Sequence, residues 1–391
     1  MLVRYCMSAI LALGVVGSVH SICAEDAAPA APGTAPAAAP VVAADPKAEW
    51  DGLVKDMETF KETMTAMNLR YSKGTAAEKT KLVKEANELV RTFETKTHPR
   101  MRVLAPQVYK LDPENSVAAQ LMLESLHDKN QFAELIKVSD SVLKKEPKAQ
   151  LAANFNGAGK FAEHDFEGAV KVLQAAEADG ILIPALGGRF LTEAEQYIEF
   201  WKTEQAIRAK EDAATGDEQL PIVKLSTTKG DIEILMLENE APNTVANFIS
   251  LVEKKFYDGI KFHRVIPVFM AQGGDPNSRD NPALAGQGGP GYSIACECYQ
   301  ENARRHFAGS LSMAHAGKDS GGSQFFLTHL PTSNLNPAPD KLEGAVHTVF
   351  GRTIKGLDVI RALEVDDVIK SAVVVRKRNH EYTPKTLPDK K

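Results

Sequence analysis

The chain has 391 residues, 43% of them hydrophobic and 25% charged, which is ordinary for globular protein but long for a single core, so about two domains are expected. Its 46 basic and 51 acidic residues leave a net charge of only −5, without the basic excess of a nucleic-acid binder or an acidic solvating tail. Of four cysteines, Cys6 and Cys23 sit at the extreme N-terminus and only Cys296 and Cys298 lie beyond it, so no disulfide framework is expected.

Residues 1–24 read as a signal peptide. Arg4 supplies a positive charge, Ala9 to Val19 is apolar, and small residues lead to a cut after Ala24. An apolar core of about 7–15 residues is too short to span a bilayer and suits an export signal. The mature chain is therefore expected to be exported, periplasmic or secreted, with no membrane span. Lipoprotein anchoring at Cys23 is disfavoured because His20-Ser21-Ile22 before it is a poor match to such processing. Residues 25–46 are mostly Ala and Pro, which bury too little apolar surface to offset their ordering entropy, and read as a disordered linker.

Residues 47–215 read as a helical domain. Leu82, Val83, Ala86, Leu89, Val90 and Phe93 fall at helical spacing among lysines and glutamates. Phe132 and Phe166 are 34 residues apart, and Val138 and Val172, Ala118 and Ala152, and Leu121 and Phe155 keep that offset, with Pro147 between the units. A 34-residue period of paired helices resembles tetratricopeptide repeats, although an unrelated helical bundle would show the same spacing. Either arrangement implies a spacer, a dimerisation surface or a groove for a protein partner.

The helical pattern stops at Ala213-Ala214-Thr215-Gly216-Asp217. Ile222–Leu225 and Ile232–Leu235 then read as strands joined by Thr227-Thr228-Lys229-Gly230. Pro242 suits the first turn of a helix whose apolar face is Val245, Phe248, Ile249 and Val252. Short apolar runs broken by Gly and Pro follow, with one more helix at Leu357 to Leu363, and residues 380–391 form a polar tail. Many strands and two helices indicate an antiparallel barrel or sandwich with helices over its openings.

Some motifs lack the context their chemistry needs. Gly286, Gly288 and Gly291 fit G-x-G-x-x-G, but Pro290 interrupts them and no helix follows to bind a pyrophosphate. His315, Asp319 and Ser323 are close in sequence, yet nucleophilic triads assemble from distant segments and no nucleophile elbow is present. His263, His315, His329 and His347 are too scattered to define a metal site. Hence neither metal nor cofactor is expected.

The stretch Lys261-Phe262-His263-Arg264-Val265-Ile266-Pro267-Val268-Phe269-Met270-Ala271-Gln272-Gly273-Gly274-Asp275 is more informative. Alternate strand residues share a face, so Arg264, Met270 and Gln272 can surround one concavity with a bend at Pro267. By itself, Arg264 there reads more readily as half of a structural ion pair than as a functional group. The second stretch is Leu311-Ser312-Met313-Ala314-His315-Ala316-Gly317, followed by Ser320-Gly321-Gly322-Ser323-Gln324-Phe325-Phe326-Leu327. His347-Thr348-Val349-Phe350-Gly351 is a third anchor, and Ala241-Pro242-Asn243-Thr244-Val245-Ala246-Asn247-Phe248 a fourth. Together these resemble the cyclophilin family of peptidyl-prolyl cis–trans isomerases over residues 219–379.

The resemblance implies a closed eight-stranded antiparallel barrel capped by two helices, acting on X–Pro bonds in proline-containing polypeptide clients. It implies Arg264 as the principal catalytic residue, with His263 and Gln272 beside it. Phe269, Met270, Ala314, His315, Ala316, Gln324, Phe326, Leu335 and His347 would line the substrate groove. This sequence departs from the family where Asn334 replaces a common groove tryptophan, where His315 replaces a common asparagine, and in an extra run from Asn336 to Val346. Cyclosporin-type ligands that rely on the tryptophan are therefore expected to bind poorly. The expected function is isomerisation that assists folding of exported proteins. The alternative is a catalytically weak peptide-binding module or chaperone whose helical domain recruits partners.

Overall fold

The computed structural model describes residues 45–337 and 344–389. The expected signal peptide, nearly all of the Ala/Pro linker and residues 338–343 of the extra run lie outside the described residues. Tertiary contacts divide the chain between Ser125 and Leu126.

The first unit is helical: α1 (Pro46–Lys73), α2 (Ala76–Thr92), a π turn at Phe93–Thr97, α3 (His98–Leu111) and the start of α4 (Ser116–Asp128). Asp45 caps α1 by accepting from the Lys47 and Ala48 N–H groups. Thr75 and Glu78 form a reciprocal capping box on α2. Leu82, Ala86 and Phe93 of the apolar stripe are buried with Trp50, Phe60, Met101 and Leu104. Phe60 stacks on Phe93 with ring centroids 4.4 Å apart.

In the second unit, α5 (Phe132–Lys145), α6 (Gln150–Ala162), α7 (Phe166–Ala178) and α8 (Arg189–Ala213) pack in succession. Their contacts are close because α6 presents small residues: a Cβ on Gly157 would lie 2.4 Å from Leu173 Cγ. The starts of α4 and α6, Ser116 and Gln150, and of α5 and α7, Phe132 and Phe166, keep the 34-residue offset. Membership of the tetratricopeptide family is not confirmed by that spacing. No helix among the described residues is long and apolar enough to cross a membrane.

The remaining elements are β1 (Ile222–Thr227), β2 (Asp231–Met236), α9 (Pro242–Glu253), β3 (Arg264–Ile266), β4 (Met270–Gly273), α10 (Asn277–Asp280), β5 (Ser310–Met313), β6 (Phe325–Thr328), β7 (Val349–Lys355), α11 (Leu357–Arg361) and β8 (Ile369–Arg376). The strands form one antiparallel sheet in the order β3-β4-β6-β5-β7-β2-β1-β8. Its concave face and α9 enclose a core that includes Val223, Ile234, Phe248, Phe262, Leu311, Phe325 and Phe350.

The barrel expected to be closed is instead a curled, open sheet. β3 is only three residues long and ladders with β4. Between the edges there is only an isolated bridge, Lys261 to Val368, flanked by backbone bonds from Gly259 N–H to Ile369 O, Ile369 N–H to Ile260 O, Phe262 N–H to Asp367 O and Asp366 N–H to Phe262 O. Continuous strand geometry does not extend back from Arg264, so no ladder forms with β8.

Helices α5–α8 and the sheet share polar and aromatic contacts. The Tyr197 hydroxyl donates to His306 O at 2.8 Å, and the Ala308 N–H donates to His164 Nε2 at 3.0 Å. Arg304, 4% exposed, lies between Glu204 and Glu211, and Arg352 bonds Glu211 and Asp212.

Candidate active site

Antiparallel register places Arg264 opposite Gln272, Gln272 opposite Phe326, and Phe326 opposite Ser312. Residues directly opposite one another point to the same face. Because Ala271, Leu327 and Leu311 of the adjacent row are in the core, Arg264, Gln272 and Phe326 point away from it. Four strand-sequence accidents of parity thus become one row across the sheet.

The row is held by amides. Arg264 Nη1 donates to Gln272 Oε1 at 3.3 Å, and Gln272 Nε2 donates to Gln324 Oε1 at 3.1 Å. Gln324 Nε2 in turn donates to Gly286 O and Gly288 O, both at 2.9 Å. No carboxylate pairs with Arg264 among the described residues, which removes the structural ion-pair reading. The residue is exposed to solvent, yet surrounding protein still lowers its pKa by desolvation. It remains a cation at any ordinary pH.

The apolar part of the site is next to this relay. Phe326 is buried, with the edge of His347 against it at 5.4 Å and His306 stacked on it at 5.9 Å. His315 stacks on His347 at 4.1 Å. His347 Nδ1 bonds Met313 O and His315 Nε2 bonds Val346 O, each at 2.9 Å. Burial pushes His347 down to about 4, with His315 adding to the shift, and burial likewise lowers His315 and His263. All three are therefore neutral at pH 7.

The other expected groove residues attach to this row in different ways. Met270 is buried one step along β4, opposite Ile266 and Thr328. Phe269 is half-buried in the β3–β4 turn, its carbonyl accepting from the His329 N–H at 2.9 Å. The Ala314 N–H donates to Gln324 O, and Leu335 O accepts from the His347 N–H at 3.2 Å. Ala316 is exposed and its N–H donates to Ser320 Oγ at 3.1 Å. His263 flanks Arg264 with Nδ1 buried and unpartnered. Ser323 donates to Gly274 O at 2.7 Å and is fully buried, so it is structural.

Two supports escaped the sequence analysis. Asp275, fully buried, accepts from the Gly286 and Gly288 N–H groups with Oδ2 and from the Asn277 N–H with Oδ1. The glycine-rich loop is thus neither a phosphate cradle nor idle: its carbonyls orient Gln324. A Cβ on Gly288 would lie 2.1 Å from Asp275 Oδ1, so this close approach requires glycine. Asn336, at the start of the extra run, accepts from the His306 N–H at 2.8 Å and donates to the Tyr197 hydroxyl at 3.0 Å. The glycine spacing was visible in the sequence, but its hydrogen-bond partners come from segments far away.

The family model for cyclophilin-type peptidyl-prolyl cis-trans isomerases matches residues 222–380. A peptidyl-prolyl cis-trans isomerase of Synechococcus elongatus is 48% identical over 153 residues, covering 39% of this chain and 94% of that protein. Peptidyl-prolyl cis-trans isomerase B of Bacillus subtilis is 48% identical over 143 residues, covering 37% of this chain and 90% of that protein. A Helicobacter pylori peptidyl-prolyl cis-trans isomerase is 42% identical over 151 residues, covering 38% and 83% respectively.

Proposed function

Because the chain belongs to the cyclophilin family of peptidyl-prolyl cis–trans isomerases, we propose that Arg264 accelerates X–Pro isomerisation in exported polypeptides bound along the Gln272–Phe326 row. The observation that carries this reading is an arginine without a carboxylate partner, oriented by a neutral amide beside a buried aromatic ring.

Rotation about a peptide C–N bond faces a barrier of about 18–20 kcal/mol because the nitrogen lone pair is delocalised into the carbonyl. For X–Pro the two planar isomers differ by only about 0.5–1 kcal/mol, yet they exchange over tens to hundreds of seconds. A catalyst needs only to favour the twisted state. There the lone pair returns to the proline nitrogen, which becomes a better hydrogen-bond acceptor. An Arg264 N–H directed at that nitrogen binds the twisted state more tightly than either planar one, and that difference lowers the barrier.

Each neighbour contributes to that difference. Phe269, Met270, Phe326, Leu335 and His347 take the pyrrolidine ring in apolar surroundings. Gln272, Gln324 and the Ala314–Ala316 backbone hold the flanking peptide while its carbonyl side turns. A carboxylate near Arg264 would neutralise the donor, whereas Gln272 orients it without competing for its charge. Neutral His315 and His347 add no cation to repel Arg264. The signal-like residues 1–24 support the exported setting, where slow proline steps also limit folding.

A protease-coupled isomerisation assay on a proline tetrapeptide tests the reading. The intact protein is expected to exceed the uncatalysed rate, and Arg264→Ala to lose nearly all of that excess. A rate no greater than the control for intact, folded protein would refute it. Sequencing the N-terminus of protein recovered from the exported fraction tests the setting, with Glu25 as the expected first residue.

A further inference from the structure

The β3–β4 turn next to the groove contains a backbone conformation that its own residue disfavours. Ile266 O accepts from the Phe269 N–H at 3.2 Å across Pro267 and Val268, and Val268 has φ +57°. A positive φ at the third position of such a turn suits glycine or asparagine, and a β-branched residue is strained there. Strain of this kind persists only where the surroundings over-determine it.

Those surroundings come from the helices. Asn130, between α4 and α5, is 5% exposed and accepts from the Val268 N–H with Oδ1 at 2.7 Å. Its Nδ2 donates to Arg361 O at 3.1 Å. Arg361 Nε donates to His329 O at 3.0 Å, and the His329 N–H donates to Phe269 O at 2.9 Å. The hydrogen bonds therefore run from Asn130 through Arg361 and His329 back to the residue after Val268. Arg361 is fixed in turn by Glu163 at 2.6 Å, by Ala162 O at 3.0 Å, and over the Phe132 ring at 4.9 Å. Asn130 itself has φ +57°, which asparagine tolerates better than most residues.

We propose that Asn130 is a positioning residue for isomerisation: its side chain holds Val268 in the left-handed turn that sets Phe269 and Met270 in the groove wall. The inference rests on the isomerase reading of that groove. It gives the α4–α5 connection a role in the reaction although it touches no substrate. It also makes the second unit's helices part of the enzyme rather than a detachable neighbour.

The test uses the full chain with four proteins: wild type, Asn130→Ala, Val268→Gly and the double variant. Asn130→Ala is expected to lower kcat/KM about tenfold, mainly through KM, because Arg264 remains while the wall moves. Glycine adopts positive φ without help, so Val268→Gly in the Asn130→Ala background is expected to return kcat/KM to within about threefold of wild type. Simple destabilisation would not produce this pattern, since adding a glycine would not repair it. Amide hydrogen exchange supplies a readout independent of catalysis: Asn130→Ala is expected to lose protection at Val268 and Phe269. Unchanged kcat/KM in a folded Asn130→Ala protein, or a loss that Val268→Gly does not recover, overturns the proposal. If wild type shows no isomerase activity, the functional reading fails, and retained Val268 protection in Asn130→Ala would overturn the clamp as well.

Discussion

Two arginines, Arg304 and Arg264, show what pairing does to a guanidinium. Arg304 is 4% exposed and bonded to Glu204 and Glu211, while Arg352 shares Glu211 and reaches Asp212. Arg264 has Gln272 as its side-chain partner and is exposed. Charge neutralised by carboxylates cements the sheet to α8. Charge left without a counterion and oriented by an amide remains available to a bound peptide. Residue type alone does not separate the roles.

The largest effect is expected at the paired site. Among the described residues, Arg304→Ala leaves the buried side chain of Glu204 with only Arg208 and that of Glu211 with only Arg352, and losing one partner of such a network typically costs about 3–5 kcal/mol. Urea unfolding would measure the loss, and a midpoint within error of wild type would break the comparison. Arg264→Ala is expected to do the reverse. Its kcat/KM should fall about 10²–10³-fold, as for removal of a donor to a developing charge, while its unfolding free energy changes by less than about 0.5 kcal/mol, as for an exposed substitution. Loss of stability alongside activity would place Arg264 in the same class as Arg304.

An acid titration sharpens the comparison further. Burial holds His347 at about 4, below the ordinary 6.5, so the unfolded chain binds its proton first. The stability this contributes is complete above pH 6.5 and is lost as pH falls toward and through about 4. A loss of roughly 2–3 kcal/mol is expected, and His347→Phe should flatten that part of the curve. The groove histidines His263, His315 and His347 are all shifted downward, so kcat/KM should be level from about pH 6.5 to 8. A bell centred near 7 would contradict the neutral wall. The smallest effect is Gln272→Leu, which removes the amide from Arg264 and Gln324 and should cost about 0.5–1.5 kcal/mol in transition-state binding, read as a severalfold fall in kcat/KM.

Much of the second unit was legible because its signals are local. Thr227–Gly230 announces a hairpin and Pro242 a helix start, and β1, β2 and α9 follow them. The apolar spacing at Leu82, Ala86 and Phe93 likewise reports a buried face. The groove could be assembled from the resemblance, because its residues fall in short runs with strand parity. Closure of the sheet could not. Three-residue β3 looks no different in sequence from the start of a longer strand, and whether its edge ladders with β8 depends on the course of a segment a hundred residues away. The same limit hid Asp275, whose acceptor role depends on Gly286 and Gly288 folding back over it.

The sequence by itself determined the family, the helical and strand periodicities and the set of side chains available to the groove, because each is written in residues near one another along the chain. Tertiary structure alone decided that Arg264 has no carboxylate partner among the described residues, that Arg304 has three, and that Asn130 reaches Val268 across 138 positions. Those outcomes depend on which distant groups share a few ångströms of space, and both the desolvation of a charge and the length of a hydrogen bond are set by that proximity.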